Sequence, residues 1–556
     1  MATDDVKEHG EDLNRVGSIE AADSLSDPKN GTFYSPLGAA SREPANLKRG
    51  LNGRHTALIA IASGIGTGLF LSSGSALASA GPLGILIGYV IMGIVVAAIA
   101  FVSAETAGYL PVSGGFIRHV PLFTDRALGI TVGYTFWYLL SITSAAEIVA
   151  ASSLIAYWRA DLNIAIFISV FLVVLFVLNM LPVRVYGEME FSFGIIKSLL
   201  IIGLIIAGLL VDWGVSPSGE YIGGKNWSSK PIKEYLVTGS TGRFLAVWNV
   251  LINAAFAMGN IQIATSAAGE VMNPRVNVPK AMRRVFWRIF IFYIVSLFVV
   301  GLILNSDDER ISTLSGTAGS PFVIAFSSAG IKVLPSIINA VVITSAFSSA
   351  NGVLFLASRT LVGLAADGAA PQIFLKTNKF GSPYLAVVVS FLFSLLAYLN
   401  CGSSAPATVF GWFINLISTA GLIIWCVICF AYVRFFFGLK ARGISRDELP
   451  YKSWGQPYSA IAAGIMCFLV VFFSGFAVFF PGNFTASAFL SNYIACFVCP
   501  ALYIVLKFTI KSPWQSYETM DFSEMDAIRE ERVYNEAHPK QRRSFVRRAV
   551  EKFTDE

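Results

Sequence analysis

Apolar residues fall in runs of roughly 20, each long enough to cross a ~30 Å hydrocarbon core as a helix. Short basic or turn-rich stretches separate them. Twelve spans are predicted: 56–80, 83–109, 128–158, 163–181, 189–211, 244–267, 285–304, 333–357, 384–400, 407–433, 458–480 and 487–509. The third is long enough to be tilted. The predicted fold class is therefore an all-α integral membrane protein. A twelve-span domain over 51–510 lies between polar tails, 1–50 and 511–556. The second tail carries Arg542, Arg543, Arg547 and Arg548. It reads as a basic helix on a membrane surface or as a solvated charged tail. No apolar leader precedes the first span, which is expected to direct insertion itself.

Lysine and arginine set the orientation. With both tails on one side, the loops on that side carry more of them than the opposite loops. The stretch after the sixth span holds Arg275, Lys280, Arg283, Arg284 and Arg288; that after the seventh reads Asp307, Asp308, Glu309, Arg310. Both termini are expected in the cytoplasm. Glycosylation triplets at Asn226 and Asn483 then fall on the outer side.

Composition narrows the function. The 556 residues are 55% hydrophobic and 14% charged, against roughly 25% charged in soluble chains. Mean hydropathy is +0.64. A soluble enzyme, a nucleic-acid binder and a disordered scaffold are excluded. The net charge of +6 resides between spans, and the 44 phenylalanines suit lipid-facing surfaces. Cys401, Cys426, Cys429, Cys467, Cys496 and Cys499 lie in or beside apolar runs, and only four histidines occur. No zinc-site spacing exists. Cys496 and Cys499 read as a small apolar residue repeated one turn on. No nucleophile–base pair, metal cluster or phosphate loop is visible, so no enzyme activity, cofactor or metal is expected.

Two spans are broken. The first contains Ser63-Gly64-Ile65-Gly66-Thr67-Gly68. Each glycine in a helix interior costs ~1 kcal/mol relative to alanine, and a freed backbone group in lipid needs a partner. Close packing through Gly64 and Gly68 is the simpler alternative. The sixth span contains Phe256-Ala257-Met258-Gly259-Asn260-Ile261-Gln262. A Gly-Asn step and a glutamine in mid-membrane serve a cavity or a partner. The two breaks are five spans apart, as expected if spans 1–5 and 6–10 are inverted repeats. Paired interrupted spans point to a substrate site. Half-helix N-termini suit a carboxylate, and unwound carbonyls suit an ammonium group. An amino acid carries both.

Three ionisable residues lie inside apolar runs: Glu105, Glu147 and Lys197. A charge at the bilayer centre costs at least ~2.5 kcal/mol. Lys197 and Glu147 are candidates for proton coupling. Glu105, near the cytoplasmic end, suits bracing a loop equally well. Thr344, Ser345, Ser348, Ser349 and Asn351 of the eighth span face this group or bond neighbouring helices.

Several stretches carry a resemblance: LKRGLNGRHTALIAIASGIGTGLF (48–70), PVSGGF (111–116), EIVAAS (147–152), YIGGK with NWSS (221–229), NPRVNVPKAMRRVFWRI (273–289) and SRTLVGLAADGAAPQIF (358–374). On these the chain resembles the fungal amino acid permeases of the amino acid–polyamine–organocation superfamily, the yeast amino acid transporter family. The resemblance implies a leucine-transporter-like 5+5 inverted repeat plus two extra helices, and proton symport of amino acids at the plasma membrane. It assigns Ser63, Gly64, Ile65, Gly66, Thr67 and Gly68 to the substrate carboxylate. Phe256, Ala257, Met258, Gly259 and Asn260 fall at the unwound sixth span, with Phe256 as an aromatic gate. Lys197 matches a lysine whose ammonium replaces a coupling sodium in related carriers. One position departs: Gln262 stands where many relatives carry glutamate. That puts substrate range and coupling in doubt, and Glu147 is the candidate to take over the charge. An amine, polyamine or choline-type permease and a non-transporting amino acid sensor are the alternative functions.

Overall fold

The computed structural model describes residues 66–537, apart from 113, 160, 260, 263–264, 266–273, 314–319 and 403–405. Of the preceding tail it describes three short antiparallel strands, Ser26–Asp27, Thr32–Tyr34 and Ala40–Arg42. They add a small meander to a chain whose membrane region is helical. The basic cluster at 542–548 lies outside the described residues.

Among the described residues, eight helices are long and apolar enough to cross a membrane. One of them, Gly68–Tyr109, holds the first and second spans, which meet at Gly81. Gly81 has φ 75°, and a Cβ there would stand 3.0 Å from the carbonyls of Lys230 and Pro231. Only glycine fits both demands. The interruption of the helix is sealed by backbone bonds: Ala80 O accepts from Lys233 N at 3.0 Å, and Leu83 N donates to Pro231 O at 2.8 Å. The third span is Arg126–Tyr157, the fourth Ile164–Met180 and the fifth Val183–Asp212. The sixth begins as Gly239–Ala257, and the seventh is Pro274–Ile303. The eighth to twelfth are Leu334–Ala366, Tyr384–Cys401, Pro406–Ala441, Tyr458–Phe479 and Ala486–Ile510. A helix thus stands at each of the twelve expected places. Two eight-residue helices stand where loops were expected: Phe116–Phe123 after the second span and Pro321–Ser328 after the seventh. At eight residues each they are too short to register as spans.

The packing repeats after a shift of five spans. The third span lies along the eighth, and the second along the seventh. The tenth packs on the third as the fifth packs on the eighth, and the fourth and ninth each touch both the third and the eighth. The short helix after span two packs on spans three and ten; that after span seven packs on spans eight and five. Five spans reverse the chain direction, so the two halves are inverted. Of the apolar stretch of the third span 83% is buried, and of the twelfth 11%. The third is central and the twelfth faces lipid.

Alternate loops gather on opposite faces. On one face, Arg118 pairs with Asp367 at 3.1 Å, Ser382 Oγ donates to Leu181 O at 2.8 Å, and Gln515 N donates to Thr124 O at 2.8 Å. Segment 511–537 packs here: Met520, Phe522 and Met525 are buried, and Arg275 pairs with Glu524 and Glu531. On the other face, Lys230 and Lys233 both bind Asp307 at 2.9 Å. Asn226 is on this face too, with its side-chain amide donating to Leu302 O at 2.7 Å.

Candidate functional site

The two broken spans meet at the centre of the bundle. In the first, Gly68–Ser72 is a π-helical turn. It shifts the backbone register, and Phe70 O accepts from Ser320 Oγ at 2.8 Å. In the sixth, the helix stops at Ala257 and Met258 takes φ −92°, ψ 7°. The carbonyl of Ala257 thereby leaves the helical ladder, and Tyr293 of the seventh span donates its hydroxyl to it at 2.6 Å. A freed carbonyl in lipid is costly unless protein satisfies it in this way. The breaks touch directly, because a Cβ on Gly68 would stand 2.5 Å from Ala257 Cα.

Between them lies a cavity with walls from spans one, three, six, eight and ten. The cavity is roomy enough to hold water. Gly66, Gly68, Glu147, Phe256, Ala257, Gly259 and Gln262 line it, joined by Ser349 and Trp425. Phe256 meets Phe410 edge to face, with ring centroids 6.1 Å apart.

Glu147 is 3% exposed. Its Oε1 accepts from Ser349 Oγ at 3.0 Å; among the described residues its Oε2 makes no full hydrogen bond, with Thr67 of the first break lying against the carboxylate. A Cβ on Gly66 would stand 2.6 Å from Oε1, so the glycine makes room for the carboxylate. Thr67 is fully buried, its hydroxyl makes no full hydrogen bond among the described residues, and it acts on the Glu147 carboxylate beside it. Buried polar atoms are rarely left unbonded without a reason. Gln262 accepts a 3.0 Å hydrogen bond at Oε1 from the indole Nε1 of Trp425.

Not every expected residue lines the cavity. Met258 turns away, its terminal methyl 3.9 Å from where a Cβ on Gly93 would sit. Lys197 is 1% exposed and stands behind the cavity, where Glu147 and Glu190 both act on it electrostatically. Ser63, Gly64, Ile65 and Asn260 lie outside the described residues. Thr344 bonds Val341 O of its own helix. Glu105 serves the loop: Arg446 grips it with bonds of 2.9 and 2.8 Å, and Ser453 N donates to it at 2.8 Å.

Three residues escaped the sequence reading. Glu190 sat at the edge of an apolar run, and its signal was the seven-residue spacing to Lys197 on one helix face. Trp425 and Tyr293 looked like ordinary aromatics of apolar helices. Nothing local marks their partners, which are far away in the chain.

The model of the family described as "Amino acid permease" matches residues 55–517. The chain belongs to the amino acid permease family. This permease is 39% identical over 480 residues to the proline-specific permease of Emericella nidulans, covering 85% of this chain and 87% of that one. It is 38% identical to the lysine-specific permease of Saccharomyces cerevisiae, with 84% and 76% covered. The dicarboxylic amino acid permease of Saccharomyces cerevisiae is 34% identical, with 86% and 80% covered. Crystal structures of the manganese transporter of Eremococcus coleocola share the fold at 13% identity. Their TM-scores are 0.51 and 0.52, with 87% of this chain and 95% of that one covered. This permease is thus a multi-pass membrane transporter with the inverted-repeat fold.

Proposed function

We propose that this permease imports amino acids across the plasma membrane in symport with a proton, by alternating access. The observation that carries this reading is the buried carboxylate of Glu147, which lines a cavity between two broken spans and whose Oε2 makes no full hydrogen bond among the described residues. A substrate ammonium group binds this oxygen. The carboxylate takes the backbone N–H groups at Gly66 to Gly68, the end of the site to which the family resemblance also assigns Ser63, Gly64 and Ile65. Leu139, Ile417 and Leu422 supply the rest of the wall. They favour a neutral, mainly apolar side chain, in keeping with the proline-specific relative. Phe256 closes the site, and Gln262, already bonded to Trp425, shapes it.

Alternating access requires the walls of this cavity to separate toward each face in turn. Lys197, beside Glu147 and near the first break, carries the coupling proton. Residues 51–510 perform transport, and the tails 1–50 and 511–556 face the cytoplasm. The test is uptake of a panel of radiolabelled amino acids by a transport-deficient yeast expressing the chain, with and without a protonophore. Accumulation of neutral amino acids that the protonophore abolishes is expected. Accumulation that survives it removes the proton, and accumulation only of lysine or glutamate removes the neutral specificity.

A further inference from the structure

Glu190 has no place in the cavity, yet it is buried to 2% exposure in the membrane bundle. A charge buried there is expensive and marks a function or a partner. It stands seven residues before Lys197 on the fifth span. Seven residues are two helical turns, about 10 Å along the axis, so the two side chains share one face.

The eighth span presents consecutive hydroxyls to two different carboxylates. Ser348 Oγ donates to Glu190 Oε1 at 2.9 Å, and Ser349 Oγ donates to Glu147 Oε1 at 3.0 Å. Lys197 interacts electrostatically with both. Among the described residues, the titratable groups facing Glu190 are Lys197 and Tyr186, both of its own helix. From the eighth span it meets Ser348 and Gly352, where a Cβ would stand 3.8 Å from Glu190 Oε1. Two carboxylates and one ammonium sum to one negative charge, and moving a proton from Lys197 to Glu190 leaves that sum unchanged inside the bundle.

Position gives the direction of travel. The fifth span begins next to Leu181, on the face that carries segment 511–537. Glu190 therefore lies between Lys197 and that face, while Glu147 lies on the cavity side. We propose that Glu190 is the acceptor through which Lys197 releases the coupling proton toward this face. An N–H bond of the Lys197 ammonium breaks as an O–H bond forms on the Glu190 carboxylate. The proton then passes to water at the face, leaving Lys197 neutral and Glu190 ionised again. The inference rests on the proton-symport reading above.

The test uses the full chain in liposomes, with a uniformly ¹⁴C-labelled mixture of L-amino acids as probe. Accumulation driven by a pH gradient is compared with exchange under no gradient. For Glu190→Gln, exchange is expected to stay within about twofold of wild type while accumulation falls at least about tenfold, the usual range of coupling effects. Equal accumulation by wild type and Glu190→Gln overturns the role of Glu190 and leaves symport intact. Equal loss of exchange and accumulation also overturns it. A wild-type chain that accumulates no label under the gradient overturns the symport reading and this inference together. Ser348→Ala keeps the carboxylate and removes its hydrogen bond, so it tests the idea even where Glu190→Gln does not fold. The pH midpoint of its accumulation is expected to shift, and an unchanged midpoint counts against the proposal.

Discussion

Gly68 and Ala257 occupy the same gap: a side-chain carbon on one would overlap the backbone of the other, 2.5 Å from its Cα. They belong to the broken first and sixth spans, so this contact sets how closely the two breaks approach. Gly68→Val forces them apart at the centre of the bundle. Overpacking of this kind typically costs ~1–3 kcal/mol. Uptake is expected to vanish while the protein still reaches the cell surface. Uptake at the wild-type rate would show that the breaks tolerate separation.

Trp425 holds Gln262 by a single indole hydrogen bond at the cavity wall. Trp425→Phe keeps the ring bulk and removes the donor. A lost bond of this type costs ~1 kcal/mol, too little to unfold the chain. Its effect is expected on selectivity, as weaker discrimination among amino acids in competition assays. Gln262→Glu places a second carboxylate beside Glu147 and is expected to change the pH dependence of uptake. Unchanged substrate profiles and pH curves in both variants would reduce the pair to helix packing.

Glu105 predicts the opposite pattern. It is fully buried and accepts four bonds from Arg446 and Ser453, all from the loop after the tenth span. Removing one partner of a buried pair costs ~3–5 kcal/mol. Glu105→Ala should lower the melting temperature of detergent-solubilised protein and its surface level. The molecules that do reach the surface should keep the wild-type KM. A raised KM at normal stability would mean that Glu105 acts on substrate.

Asp307 is held below the usual carboxylate range, chiefly by hydrogen bonds from Lys230 and Lys233. A depressed value means that the folded state favours the ionised form, so the pairing stabilises above the unfolded value and is lost only as pH falls through the lowered one. The loop carrying Lys230 and Lys233 should stay docked at pH 5, and loosen only below the normal aspartate range near 4. Hydrogen exchange of segment 225–235 at the two pH values reads this directly. Asp307→Asn is expected to show the loosened pattern already at pH 5.

Much of this permease is legible residue by residue. Runs of apolar side chains specify the spans, because lipid rejects any stretch that cannot satisfy its own backbone. The excess of Lys and Arg in alternate loops predicts that those loops share a side, and Arg118, Arg275 and Arg446 do share one face. Gly66, Gly68 and Gly259 announce the broken helices, because glycine in a helix interior has a local cost that any reader of the chain can see. Glu147 and Lys197 stand out for the same kind of reason: a charge within an apolar run is conspicuous.

The tertiary structure alone decided what those residues meet. Glu105 and Glu147 look alike in sequence, yet one braces a loop through Arg446 and the other lines the cavity between the broken spans. Tyr293 caps the carbonyl of Ala257, Trp425 binds Gln262, and Ser348 binds Glu190 across 36, 163 and 158 residues of chain. Local composition carries no term for such distances. Helix formation and membrane insertion depend on neighbours along the chain, whereas a polar atom in the interior is satisfied by whatever side chain the packing of inverted halves brings within 3 Å.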